Sequence, residues 1–135
     1  MKSKSVLTQT DVTQILAAAR AEAQTQGWAV SIAVTDDGGH LLGFERLDGC
    51  APIGAYIAIE KARTSALGRR ESKGYEDMVN GGRTAFVTAP LLTSLEGGVP
   101  VIVNGETVGA VGVSGVKADQ DAQVAKAGVA AVNAG

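Results

Sequence analysis

A cation and a carboxylate flank a predicted chain reversal at Arg46-Leu47-Asp48-Gly49. The guanidinium of an arginine offers a planar fork of donors that matches a carboxylate, and a glycine turn exposes main-chain N–H groups. The same residues could equally form a structural ion pair beside a turn, because such pairs are common at protein surfaces. Arg46, Asp48 and Gly49 therefore predict either a carboxylate-binding site or a braced turn.

The helix predicted after this turn carries Glu60, Lys61, Arg63 and Thr64 within two turns. Lys61 and Thr64 share one face because residues three apart are neighbours on a helix. A partly buried lysine can anchor a carboxylate or form a Schiff base, whereas most lysines lie on a solvated face. We place Lys61, Arg63 and Thr64 in the predicted ligand site. If the site is catalytic, proton transfer would use Asp48, Glu60 or Lys61.

A pair of glycines, Gly97 and Gly98, opens a second predicted hairpin. Their N–H groups could bind an oxyanion, or the pair could serve only as the entry to the hairpin. If this pair lies at the same end of the sheet as the first chain reversal, it would form one pocket with Arg46 and Lys61. The combined pocket would accept a small carboxylated ligand.

The chain contains one histidine, His40, beside the turn Asp36-Asp37-Gly38-Gly39. An imidazole can bind a metal ion or transfer a proton near neutral pH, although a lone histidine at a turn is more often structural. A single histidine excludes metal centres built from several histidines. The sequence also lacks a phosphate-binding GxxxxGK[ST] loop and a dinucleotide-binding fingerprint.

The composition is that of a lightly charged globular protein. The 135 residues, with a formal net charge of -2 and 45% hydrophobic residues, fit a single domain over residues 1–135. This charge argues against a nucleic-acid partner, which would favour a basic surface. No apolar run approaches the length of a membrane span and the first residues show no signal peptide, so we expect a cytoplasmic protein with no membrane partner.

Two hairpins dominate the predicted secondary structure. Alternating apolar residues from Val30 to Val34 indicate the first strand, and His40 to Leu47 returns beside it. Asn104-Gly105 is a strong hairpin turn between the strands of the second pair. Helices are predicted over residues 9–26, after Pro52, over 71–79 and over 120–133, with a short strand over 84–87. The pattern predicts an α/β (α+β) fold with one antiparallel sheet and helices packed on it.

The last predicted helix is unusual because it consists largely of alanine, valine and glycine. Such small residues let another surface approach closely, and they give the helix little polar area with which to face water. We therefore expect the chain to form a homo-oligomer, with this helix as a contact surface.

Several segments occur in an order and spacing that resemble one protein family. They are AVTDDGGHLLGFERLDG, KARTSA, GGVPVIVNGETVGAVGVSG and QDAQVAKAG. Together they resemble the GlcG-like and HbpS-like proteins, which include the C-terminal domain of PduO. The resemblance implies a profilin-like domain with a central antiparallel sheet of about five strands, assembled into oligomers. Some members bind haem, and many are encoded among catabolic genes.

Haem is therefore the cofactor that the resemblance implies. His40 is the first candidate for an axial ligand, and Cys50, Tyr56, Tyr75 and Met78 are further side chains able to bind iron. Covalent haem attachment is excluded because there is no Cys-x-x-Cys-His motif.

Two functions remain open from the sequence. One is an oligomeric protein that binds haem or a small carboxylated ligand. The other is an enzyme or accessory protein that acts on a small carboxylated intermediate of a catabolic pathway. A purely structural subunit is a third, less specific interpretation.

Overall fold

The computed structural model describes residues 1–133 and shows one antiparallel sheet of four strands. The strands are β1 (Ser31–Asp36), β2 (Leu41–Arg46), β3 (Gly98–Val103) and β4 (Glu106–Ser114), in the spatial order β2-β1-β4-β3. The predicted α+β fold, with both hairpins in one sheet, is confirmed. The strand count is four instead of about five, because the segment predicted as a short strand forms a 3-10 helix at Thr84–Thr88.

Four α-helices surround the sheet. They are α1 (Gln9–Gln26), α2 (Pro52–Gly68), α3 (Lys73–Asn80) and α4 (Ala118–Asn133). Helices α1 and α4 cover one face, and α2 covers the other. Among residues 1–133, no helix is both long and apolar enough to cross a membrane.

The two faces of the sheet differ in the size of their side chains. Val34, Val111 and similar branched residues point towards α1 and α4 and form the main core. The opposite face presents Ala33 and Gly112 to α2. A Cβ atom added at Gly112 would overlap the carbonyl oxygen of Ala58 and the amide nitrogen of Ala62. Helix α2 therefore lies directly against the backbone of the sheet.

The small residues of α4 are explained by packing within the chain. Ala122, Ala125 and Gly128 are buried, and a Cβ atom added at Gly128 would lie 3.1 Å from Cγ2 of Ile15 and 3.3 Å from Cβ of Ala19. Helix α4 thus packs closely on α1. This packing removes the reason for which α4 was expected to be an oligomer contact, so the prediction of a homo-oligomer needs another surface.

Strand β2 is the less protected of the two outer strands. Helix α2 packs mainly over β4, β1 and β3, and it leaves much of β2 uncovered on that face. The pairing of β1 with β2 is irregular at Val34 and Thr35, which indicates a bulge in the hairpin. Leu41 and Leu42, near this bulge, are 49% and 43% exposed. The edge of the sheet at β2 therefore carries exposed apolar side chains.

Candidate functional site

The residues of the pocket predicted around Arg46 and Lys61 are separated from one another across the width of the sheet. Arg46 pairs with Ser31 on β1, and Gly98 pairs with Gly112 on β4, so both lie at the same end of the sheet as predicted. They belong, however, to the two outer strands, which are three strand spacings or roughly 14 Å apart. The structure therefore does not bring the arginine and the glycine pair into one pocket.

Arg46 braces the loop that enters α2. Its Nε and Nη2 atoms donate hydrogen bonds of 3.1 Å and 2.7 Å to the carbonyl oxygen of Cys50. Asp48 and Gly49 lie exposed in the same loop, and Gly49 has a φ of 89°, a conformation that favours glycine. Arg46 thus uses two of its five N–H groups on a main-chain carbonyl, and within residues 1–133 it does not form the ion pair that the structural alternative predicted.

A cleft opens beside this loop, where α1 ends and β2 ends. It has a volume of about 460 Å³ and combines an aromatic ring, apolar groups and two opposite charges. Its lining comprises Gln24, Gly27, Trp28, Ala29, Arg46, Leu47 and Asp48. Sequence reasoning included the two charged residues and missed the tryptophan, which precedes β1 and comes close only through the pairing of β1 with β2.

Lys61 is buried in an ion pair, with 4% of its side chain exposed. Its Nζ atom donates to the carbonyl oxygen of Val113 and to Oδ2 of Asp121, both at 2.9 Å. The other carboxylate oxygen of Asp121 accepts a hydrogen bond from the N–H of Val116 at 3.1 Å. Burial raises the pKa of Asp121, and the Lys61 cation acts in the opposite direction.

The glycines predicted to bind an anion are engaged within the chain instead. A Cβ atom added at Gly97 would lie 2.8 Å from Nζ of Lys61, so the glycine leaves room for the ammonium group. The N–H of Gly98 donates to Oγ of Ser72 at 2.8 Å. Lys61, Gly97 and Gly98 therefore form a structural link between α2, the sheet and α4. The sequence gives no indication of the role of Asp121, because nothing local connects it with a lysine 60 residues away.

Thr64 and Glu60 are also engaged within the chain. Thr64 is 2% exposed, and its Oγ1 atom accepts a hydrogen bond from the N–H of Thr93 at 2.8 Å. Glu60 forms an ion pair with Arg63 at the surface of α2. The three residues suggested for proton transfer, Asp48, Glu60 and Lys61, thus lie in different surroundings. They do not form one catalytic group.

A second group of residues comes together along the uncovered face of β2, and we call it the β2–α2 surface. It consists of Leu42 and Phe44 on β2 with Ile59, Arg63 and Leu67 on α2. Phe44 and Ile59 pack against the same alanine cluster beneath α2. Spacings of four residues place the three α2 side chains on one stripe. A Cβ atom added at Gly39 would lie 2.7 Å from Cγ of Arg63, so the β1–β2 turn adjoins this stripe.

Two polar atoms near this surface lack partners within residues 1–133. The Nε atom of Arg63 and the Oγ1 atom of Thr35 are buried and make no hydrogen bond there. A buried donor without an acceptor costs about 1–3 kcal/mol. In native structures such a buried polar atom is commonly satisfied by an ordered water or an ion.

His40 stands at the turn end of β2 with its side chain 81% exposed. Its Nδ1 atom lies 3.1 Å from Oδ1 of Asp36, and that oxygen also accepts from the N–H groups of Gly38 and His40 at 2.9 Å. A carboxylate at Nδ1 orients the ring and leaves Nε2 for an external partner. Six residues of strand, or about 20 Å, separate His40 from Arg46, so these two side chains serve different sites.

Three of the other four candidate iron ligands, Cys50, Tyr75 and Met78, are less available than His40. The thiol of Cys50 is buried against Ser31 Oγ, at 3.3 Å, and the Ser114 carbonyl, at 3.7 Å. Tyr75 stacks on Phe86, with ring centroids 5.6 Å apart. Tyr56 is 74% exposed and Met78 is half-buried on α3. Within the described part of the chain, no three histidine, cysteine, aspartate or glutamate residues are grouped to hold a metal ion.

Comparison with known proteins adds close relatives. Residues 7–130 match the family described as "Haem degrading protein HbpS-like". Protein GlcG of Escherichia coli strain K12 is 69% identical over 114 residues, which are 84% of this chain and 85% of GlcG.

Solved structures share the same fold. A double mutant of HbpS from Streptomyces reticuli matches with a TM-score of 0.88 and 31% identity, over 98% of this chain and 90% of that one. The structure described as a PduOC:Heme complex matches with a TM-score of 0.86 and 24% identity, over 96% of both chains. The family model and the identity with GlcG leave one conclusion: this chain belongs to the HbpS-like family.

Proposed function

We propose that the chain binds haem, or a related planar molecule with carboxylates, on the β2–α2 surface. The observation that carries this proposal is the combination of exposed apolar side chains with an oriented imidazole and a guanidinium at one edge of the sheet. The family description names haem, and a protein of the same fold has been crystallised with heme. Both support the same class of ligand.

The side chains present fit this group. Leu42 and Phe44 offer an apolar strip on which a porphyrin plane can lie, since burial of apolar area is the main source of affinity for such ligands. Arg63, whose side chain is 30% exposed, can donate to a propionate. The Nε2 atom of His40 can bind iron, because Asp36 holds the other ring nitrogen. When bound, haem supplies the iron centre and its redox chemistry.

This proposal keeps the homo-oligomer predicted from the sequence, but it moves the contact surface from α4 to α2. Ile53 and Tyr56, at 65% and 74% exposure, lie in the first turns of α2, the helix that contributes to the β2–α2 surface. Exposed apolar side chains in such a group favour association with a further surface. We expect homo-oligomers that use this side of α2, and light scattering at micromolar concentration measures their mass. A monomeric mass would contradict the proposed oligomer.

The cytoplasmic location stays a prediction from the sequence.

A small carboxylated ligand or substrate is the alternative. It would use the cleft with Arg46 and Asp48. Of the three residues suggested for proton transfer, Asp48 alone forms no ion pair within residues 1–133, because Lys61 and Glu60 are both paired. The binding proposal is favoured because Lys61 and Glu60 are both paired within the chain. An enzyme built on Lys61 would first have to break a buried ion pair.

Titration of the purified protein with haemin, followed by its Soret absorption, tests the proposed function. Replacing His40 by Ala should remove the spectral shift that reports iron ligation. Arg63→Ala should weaken binding about tenfold or more, because a charge-assisted hydrogen bond is worth about 1.5–3 kcal/mol.

A pair of matched variants locates the site. Leu42 on β2 and Ile102 on β3 are exposed to similar extents, 43% and 44%, on opposite edges of the sheet. Leu42→Ser should weaken haemin binding, whereas Ile102→Ser should leave it unchanged. Equal effects of both changes would show non-specific adsorption of haemin. Unaltered binding in the His40, Arg63 and Leu42 variants together would disprove the proposed site.

A further inference from the structure

A second site lies in the cleft between the end of α1 and the end of β2, and it is separate from the haem proposal. We propose that this cleft binds a small zwitterion, a molecule that carries an ammonium group and a carboxylate a few bonds apart. The volume of about 460 Å³ falls in the range of small-molecule sites, roughly 300–1,000 Å³.

The cleft is built from rigid parts. Gly27, with φ at 74°, ends α1, and its N–H donates to the carbonyls of Ala23 and Gln24. The N–H of Trp28 also donates to the carbonyl of Ala23, at 2.9 Å, and this hydrogen bond fixes the backbone of the residue that carries the indole ring. On the other wall, the N–H of Leu47 donates to the carbonyl of Val30 at 2.9 Å. A site fixed in this way loses little entropy when a ligand binds.

The charges of the lining are balanced. Arg46 uses Nε and Nη2 on the carbonyl of Cys50, and its Nη1 makes no hydrogen bond within residues 1–133. Asp48 is exposed and forms neither a hydrogen bond nor an ion pair in that same range. One free donor group and one free carboxylate therefore face a common space. A ligand with a single charge would be attracted by one group and repelled by the other.

Two further features set the orientation of the ligand. Helix α1 ends at this cleft with no basic residue in its last turn, so the partial negative charge of the helix terminus is not offset there. Trp28 also lines the cleft, and an indole ring attracts an ammonium group. The cationic end should therefore lie between Trp28 and Asp48, with the carboxylate on Arg46.

The cleft lies at the opposite end of β2 from His40, the proposed iron ligand. Arg46 lies at one end of β2, and His40 precedes the other end, about 20 Å away. The proposal for the cleft consequently does not require haem binding.

Trp28 is the only tryptophan, so its fluorescence reports directly on the cleft. The full chain is titrated with 4-aminobutyrate and, separately, with butyrate and butylamine, which each lack one charge. The zwitterion should give a saturable change with an affinity at least about tenfold higher than either analogue, since each lost contact is charge-assisted. Isothermal titration calorimetry provides a second measurement.

One variant removes the cation site and another serves as its control. Asp48→Asn should abolish the preference for 4-aminobutyrate over butyrate, whereas Asp77→Asn, on the remote helix α3, should preserve it. Asp48 makes no contact that the fold needs within residues 1–133, so the variant should fold. The absence of a saturable response to 4-aminobutyrate would overturn the proposal. Equal affinities for the three probes, or a preference that survives Asp48→Asn, would overturn it as well.

Discussion

Replacing Lys61 by Met removes the cation that hydrogen-bonds to the buried carboxylate of Asp121. The carboxylate would then remain in a site where Asp121 is 2% exposed, with the Val116 N–H as its remaining hydrogen-bond donor among residues 1–133. Removal of one member of a buried pair typically costs 3–5 kcal/mol, roughly a third of the stability of an average domain. We therefore expect Lys61→Met to lower the free energy of unfolding by about 4 kcal/mol.

Urea denaturation followed by far-UV circular dichroism measures this loss. With a slope of about 2 kcal/mol per molar, the midpoint should fall by about 2 M while the slope stays the same. The double variant Lys61→Met with Asp121→Asn should regain most of the loss, because a neutral amide needs no counter-charge. Lys73 is the control: its pair with Asp77 is exposed, so Lys73→Met should cost less than about 1 kcal/mol.

The pH dependence gives a further check with a definite sign. Burial raises the folded-state pKa of Asp121 above its unfolded value, so protonation favours the folded state and this benefit is lost as pH rises through the folded pKa. Without Lys61 the pKa should rise further, since the cation is the main opposing influence. The stability gap between wild type and Lys61→Met should therefore narrow as pH falls from 7 towards 4. A gap under 1 kcal/mol at pH 7, or one that widens in acid, would refute this account.

Two other changes have clear expected outcomes. Gly97→Ala should cost at least about 1 kcal/mol more than Gly82→Ala in urea denaturation: both glycines have positive φ, but only at Gly97 would the added Cβ meet Lys61. Equal losses of stability in the two variants would contradict the expected overlap between the added Cβ and Lys61. Thr8→Ala should lower stability by about 1 kcal/mol through loss of the α1 cap. Hydrogen bonds from the backbone N–H and from the hydroxyl of Thr8 lower the pKa of Asp11, and the variant keeps the first and loses the second. An NMR titration should therefore show that pKa moving part of the way towards its ordinary range, and an unchanged value would contradict the capping geometry.

Local features of the fold were readable from the sequence. The capping residue Thr8, its partner Asp11 and the terminating Gly27 all occupy the positions expected from helix chemistry. The hairpin turn at Asn104-Gly105 also forms as expected. These elements depend on residues within a few positions of each other, so a pattern of neighbours is sufficient to predict them.

The candidate site was harder to predict because it depends on strand order. Arg46 and Gly98 are at the same end of the sheet, yet the order β2-β1-β4-β3 places them on opposite edges. The role of Lys61 is decided by Asp121, which belongs to a helix on the other face of the sheet. Trp28 enters the cleft through the pairing of neighbouring strands. Such non-local relations leave no periodic pattern in a single sequence.

The segment over 84–87 shows the limit of local propensity. Thr84, Phe86 and Val87 favour a strand when considered alone. In the structure, Phe86 stacks on Tyr75 of α3, and the segment forms a 3-10 helix beside that helix. The tertiary contact overrides the local preference.

Because the helices cover the four strands unevenly, the strands should differ in how readily they unfold locally. Helix α2 and the pair of Lys61 with Asp121 hold β3 and β4 between both helical layers, whereas β2 is bound mainly through its pairing with β1. Amide hydrogen exchange on β2 should therefore proceed through local opening, with β4 exchanging only on global unfolding. Strand β2, which is proposed to carry the ligand, is thus the strand whose amides the fold protects least from exchange. A bound ligand should slow amide exchange on β2 more than on any other strand.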